Sequence, residues 1–180
     1  FILGIVEGLA EFLPISSTGH MVLVSHFLEI PHSVTLTTFE IVIQLGAISA
    51  VVIYYFKHLF ELGMIKKLIV GFLPTGIIGF FIFPYVKIWL QNPLLVAYSL
   101  LLGGILILLV ERWYAKQSHD THKKELSYKD IFLLGLFQAL AMIPGVSRSG
   151  AMIIGGLGMK LNRAILAEFT FLLAVPTLII

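Results

Sequence analysis

The chain has 180 residues, 58% of them hydrophobic and 12% charged, with a formal net charge of +2 and a mean hydropathy of +1.00. A soluble domain of this size has too little core to hide that much apolar surface, so composition points to an all-α, polytopic integral membrane protein. The absence of cysteine excludes disulfides, thiolate metal sites and a cysteine nucleophile, and the modest positive charge suits loop topology and anionic membrane lipids better than nucleic acid.

In chain order, residues 1–13 are apolar but shorter than the roughly 20 residues a crossing helix needs. This piece carries Glu7 and Glu11 and stops at Pro14. There Ser16-Ser17-Thr18-Gly19-His20 forms a polar island ahead of a second short apolar piece, 21–28. Three full spans follow at 39–56, 68–86 and 94–110, and residues 111–130 read as the one sizeable polar loop. Beyond it, 131–143 is again too short to cross. It breaks at Pro144-Gly145 and resumes as 151–159 after Val146-Ser147-Arg148-Ser149-Gly150. Two half-length pieces around such a break read as a re-entrant helical hairpin, tolerated where protein or a cavity covers the backbone. Because it opens on Phe1 and stops inside the apolar run 169–180, the chain reads as a fragment.

The two hairpins read as copies. Adding 131 lays Gly4, Leu9, Ala10, Ser16, Gly19 and Met21 on Gly135, Leu140, Ala141, Ser147, Gly150 and Met152 without a gap. Leu and Ala identities are cheap among apolar helices, so the matched Ser-x-x-Gly and the shared break carry the weight. The expectation is one transmembrane domain over 1–180, with a first repeat of about 1–110 and a second, incomplete one from about 131. The positive-inside rule puts Lys57, Lys66, Lys67 and the 112–129 loop in the cytoplasm, and the Lys87 loop and 29–38 outside. Three intervening spans invert the second copy. Hairpin one then enters from outside and hairpin two from the cytoplasm, with their tips meeting near mid-membrane and both polar islands in one cavity.

Ionisable groups at membrane depth are expensive and usually mark a site. Glu7 and Glu11 project from one helix face. They suit a shared hard cation, Mg2+ or Ca2+, or a proton-coupling pair, or a water-filled vestibule. Between Ser16 and His20, a serine or the imidazole could attack phosphorus with the other assisting; helix capping after Pro14 is the plainer reading. The Pro144–Gly150 break presents free N–H groups and a positive dipole end, with Ser147 and Ser149 adding donors. Arg148 adds an always-charged planar fork suited to phosphate oxygens, or else pairs with Glu7 or Glu11 as a structural salt bridge. Glu40 and Gln44 complete the site or tie hairpin to helix, with the structural role favoured. His26 and His32 read as interfacial, as do Tyr54, Tyr55, Trp89 and Trp113, whereas His58, His119 and His122 read as loop residues.

The segments GIVEGLAEFLPISSTGHMVLV, TFEIVIQLGAI and IPGVSRSGAMIIGG resemble, in order and spacing, the undecaprenyl-diphosphate phosphatase family of bacteria, also called the bacitracin-resistance family. The resemblance covers essentially the whole chain. It implies hydrolysis of a C55 polyprenyl diphosphate to the monophosphate, recycling the lipid carrier for peptidoglycan. It also implies a divalent cation, a site open to the extracytoplasmic side of the bacterial inner membrane, and further helices after Ile180; a homodimer is left open. Glu7 and Glu11 match the acidic motif, with Glu11 also among the catalytic residues. Ser17 and His20 match the nucleophile and base region, and Ser147, Arg148 and Ser149, with Gly145 at the turn, the phosphate-binding motif. Met152 stands where the family has Thr, which removes a hydroxyl from that position. The acid-phosphatase-like superfamily is set aside because it wants His five residues after the Ser-Arg pair, where Ile154 stands. The main rival is a transporter or flippase for a phosphorylated polyprenyl lipid on the same inverted-repeat anion site. A carrier needs no nucleophile, and the serine and histidine beside the carboxylates argue against it.

Overall fold

The computed structural model describes residues 1–31, 33–90, 92–116 and 125–179. His32, His119, His122, Lys123 and Lys124 lie outside the described residues. The described residues form helices α1 (Ile2–Ala10), α2 (Ser17–Phe27), α3 (Val34–Tyr54), the four-residue α4 (Phe56–Leu59), α5 (Leu62–Leu90), α6 (Pro93–Tyr114), α7 (Tyr128–Ala139), α8 (Arg148–Gly158) and α9 (Arg163–Ile179). A 3₁₀ turn covers Leu140–Met142.

Three helices are long and apolar enough to cross a bilayer, over Thr35–Tyr54, Leu62–Val86 and Pro93–Tyr114. They are the three spans read from the sequence, with shifted ends, because capping groups rather than the apolar runs set where a helix starts. Ser33 Oγ accepts from the Leu36 amide at 3.1 Å, and Asn92 Oδ1 accepts from Leu94 and Leu95 at 3.1 and 3.2 Å with Pro93 in the first turn. The polar loop expected over 111–130 is shorter than that. Helix α6 runs on to Tyr114, and α7 already starts at Tyr128 behind a reciprocal Ser127–Asp130 capping box. Pro74 and Pro84 sit inside α5 without ending it, as membrane helices allow where neighbours satisfy freed backbone groups.

Helix α9 occupies the centre. Leu166, Phe169, Leu172, Leu173 and Ala174 are buried, and the helix packs against α3, α5 and α8. Helix α5 packs on α7, where Gly135 lies directly against the Gly71 carbonyl and no Cβ would fit. Helix α6 turns Leu101, Leu102, Leu108 and Leu109 outward and touches α2 and α8 along its inner side.

The short helices α2 and α8 are built alike, 131 positions apart. Each has 11 residues and opens on a serine whose Oγ accepts from the amide three residues on: Ser16 from Gly19 at 3.3 Å, Ser147 from Gly150 at 3.1 Å. Each also closes on a left-handed residue, Glu29 at φ 54° and Lys160 at φ 58°. The same pair of bonds follows both times: Glu29 to His26 and Ile30 to Ser25 in one, Lys160 to Leu157 and Leu161 to Gly156 in the other. This is the Schellman closure, which satisfies the last carbonyls of a helix.

Candidate active site

The turns ahead of α2 and α8 meet. Ser149 Oγ donates to the Leu13 carbonyl at 3.4 Å. Arg148, in the first turn of α8, reaches back to Glu11 just past α1, with Nη2 2.5 Å from Oε1. The two side chains are only 15% and 10% exposed, so the charges are mutually required: either one alone at this depth would be an uncompensated charge. This is the ion pair that the sequence allowed as the structural alternative. It leaves binding capacity over, because Arg148 Nε is buried without a partner and Nη1 makes only a 3.4 Å bond to the Ala174 carbonyl.

Glu11 takes a second donor. Ser17 Oγ gives its hydroxyl hydrogen to Glu11 Oε2 at 2.5 Å. One carboxylate therefore receives a guanidinium from the second polar island and a serine hydroxyl from the first. Ser147 and Ser149 Oγ lie 3.2 Å apart beside it, at the amino end of α8, where free amides and the helix dipole favour an anion. All of these groups line one cavity of about 680 Å3. One wall of it is apolar, built by Phe72, Gly76, Gly79, Phe80 and Phe83 of α5.

Glu7 is 1% exposed, and neither of its carboxylate oxygens has a hydrogen-bond partner. It stands one turn before Glu11, within electrostatic reach of Glu11 and Arg148, and does not line the cavity. Two carboxylates, one with both oxygens free, fit a hard divalent cation, which takes one or two carboxylates and completes its shell with phosphate oxygens and water. Among the described residues no cluster of three metal-binding side chains exists.

Besides Glu7, two of the site residues singled out from the sequence, Gly145 and His20, do not line the cavity. Gly145 sits at φ 93° with its Cα against the Val96 carbonyl and Ser99 of α6, so both the turn and the close approach require glycine there. His20 bonds the Ser16 carbonyl through Nδ1 at 2.9 Å. A carbonyl only accepts, so Nδ1 carries the hydrogen of this bond. Ser16, which His20 holds, has φ 64°, a left-handed value for a non-glycine residue. Gln44 does both things proposed for it: it lines the cavity, and its Nε2 donates to Thr18 Oγ1 at 3.2 Å, tying α3 to α2. His58, expected in a loop, lies in α4 with Nε2 3.8 Å from Glu168 of α9.

Against protein-family models, residues 1–180 match the family described as bacitracin resistance protein BacA. The chain belongs to the BacA family. It is 50% identical over 178 residues to the undecaprenyl-diphosphatase of Sulfurihydrogenibium sp. (strain YO3AOP1), covering 98% of this chain and 70% of that protein. The undecaprenyl-diphosphatase of Aquifex aeolicus (strain VF5) is 50% identical over 179 residues with the same two coverages. That of Wolinella succinogenes is 51% identical over 181 residues, covering 99% of this chain and 70% of its own. Family membership and the apolar helices together make this BacA-family chain a membrane protein.

Three polar cavity-lining residues of the BacA-family chain were not singled out from the sequence: Thr75, Gln138 and Thr177. Gln138 could have been, because it falls 131 positions after Glu7. Thr75 also carried a signal, as a polar residue between Pro74 and Gly76 in a span.

Proposed function

We propose that the chain is an undecaprenyl-diphosphatase of the membrane, hydrolysing undecaprenyl diphosphate to undecaprenyl phosphate and inorganic phosphate, as the names of its relatives indicate. The observation that carries the site assignment is the meeting of Arg148, Glu11 and Ser17 in one cavity, with bonds of 2.5 Å on both sides of the carboxylate.

In this reading the diphosphate enters beside Arg148. The free Nε, Ser147, Ser149 and the first amides of α8 take its oxygens. Ser17 Oγ attacks the terminal phosphorus as its proton passes to Glu11, and the bond from phosphorus to the bridging oxygen breaks. Undecaprenyl phosphate leaves, and water hydrolyses the resulting phosphoserine to inorganic phosphate. His20 holds the Ser16 turn through its Nδ1 bond and so positions Ser17 beside it. Arg148 moves from Glu11 toward the phosphate as charge builds there, which frees Glu11 to accept the proton. Glu7 and Glu11 would hold Mg2+ or Ca2+, supplying neutralisation of negative charge at the phosphate when bound.

The pairs α1–α2 and α7–α8 are two re-entrant hairpins of an inverted repeat, a reading supported by their matched caps and by the contact of their tips. The cavity opens to the extracytoplasmic side of the bacterial inner membrane, supported by the lack of Lys and Arg around the first hairpin. Nothing in the names of the relatives favours the carrier alternative.

The test is phosphate release from C55 diphosphate by the purified protein, with and without a chelator. Movement of labelled lipid across vesicles with no phosphate released would replace the phosphatase with a carrier.

A further inference from the structure

Gln138 is 1% exposed and lies in the cavity wall, and which end of its amide faces which neighbour is decided by chemistry. Thr75 Oγ1 donates to the Gly135 carbonyl at 2.9 Å, and Thr177 Oγ1 donates to the Leu173 carbonyl at 2.6 Å. Each hydroxyl has one hydrogen, so both are committed and can only accept from Gln138. The NH2 must therefore face them, and Nε2 donates to Thr75 at 2.9 Å and to Thr177 at 3.2 Å. With both amide hydrogens spent, Oε1 is left buried and without a partner.

A buried acceptor with no donor costs stability. Here three side chains on α5, α7 and α9 cooperate to create one. Gln138 and Arg148 line the same cavity, and Thr177, which Gln138 bonds, and Arg148 Nη1 donate to consecutive carbonyls of α9, Leu173 and Ala174. Glu11, the carboxylate that lines the cavity, already accepts on both oxygens, and Arg148 only donates.

We infer that Gln138 is a further substrate-contacting residue, held by Thr75 and Thr177 so that Oε1 accepts from an oxygen-bound proton brought into the cavity. The inference rests on the phosphatase reading. Two sources carry such a proton: the water that completes hydrolysis, and the singly protonated form of a phosphate group. A fully ionised phosphate oxygen is excluded, because it would face Oε1 acceptor to acceptor.

The experiment compares wild type with Gln138→Leu and the near-isosteric Gln138→Met, using C55 diphosphate and reading kcat, KM and Tm. Loss of the amide leaves both threonine hydroxyls donating to their carbonyls and removes the unpartnered oxygen, so Tm should stay level or rise. Turnover efficiency should nevertheless fall about tenfold or more. A fall in kcat at constant KM assigns the contact to water. A rise in KM, with flattening of its pH dependence around the phosphate pKa of about 6, assigns it to protonated phosphate. Unchanged kcat and KM in either folded variant would overturn the inference, as would losses that merely track a lowered Tm. A wild type that releases no phosphate would instead overturn the phosphatase reading beneath it.

Discussion

The helix pairs α1–α2 and α7–α8 share a backbone plan and differ in what they do with it. Both second helices start on a serine cap and end in a Schellman closure at positions 131 apart. The first pair carries Glu7, Glu11 and Ser17; at the same places the second carries Gln138, Met142 and Arg148. One contributes carboxylates and a hydroxyl, the other a guanidinium and an amide, and an ion pair joins them beside one cavity. Their packing differs as well. Gly135 presses on the Gly71 carbonyl, whereas nothing lies within 4 Å of where a Cβ on Gly4 would be. Two similarly capped short helices thus carry different side chains, and the difference supplies complementary chemistry.

The largest expected effect breaks the complementarity. Arg148→Lys keeps the charge but loses the planar fork. Phosphate release should drop by about 100-fold or more, the scale of losing a donor to developing charge. Near-normal turnover would leave Arg148 with only its salt bridge. Glu11→Gln should cost as much activity from the other side, and also stability, because it strands a mostly buried guanidinium; thermal unfolding alongside kinetics separates the two losses.

The carboxylates of the first pair give the next test. With a chelator present, activity should vanish and then return with Mg2+ or Ca2+, and Glu7→Gln should demand a higher metal concentration for half-maximal rate. A metal titration unchanged by Glu7→Gln would instead assign its free oxygens to a proton.

Packing gives a smaller contrast. Gly135→Ala should destabilise by about 2 kcal/mol, the usual scale of overpacking, since a backbone carbonyl cannot move aside as a side chain would. Gly4→Ala should be neutral or stabilise by up to about 0.5 kcal/mol through helix propensity. Equal effects on Tm would erase the difference between the two environments.

The finest contrast lies in the caps. Ser16 has φ 64° and Ser147 φ −70°. Glycine costs only a few tenths of a kcal/mol as a cap, and at Ser16 it would relieve the left-handed backbone. Ser16→Gly should therefore be more stable than Ser147→Gly by about 1 kcal/mol, read as the separation of their melting temperatures.

Much of this molecule was decided along the chain. Apolar length specified the membrane helices α3, α5 and α6, because hydrocarbon thickness sets a length that a sequence displays directly. Pro14 and Pro144-Gly145 marked the breaks, and isolated charge singled out Glu11 and Arg148, because in apolar surroundings a polar residue stands out by itself. Tertiary structure decided what periodicity cannot carry. Helix α9 is the buried centre and α6 faces outward, yet both are apolar, since lipid and protein interior favour the same side chains. Only packing placed Ser17 rather than His20 in the cavity wall, because residues three apart share a helix face and spacing along the chain cannot choose between them. Only packing, too, gathered Thr75, Gln138 and Thr177 from three helices, because hydrogen bonds between residues 39 and 63 positions apart leave no local pattern to read.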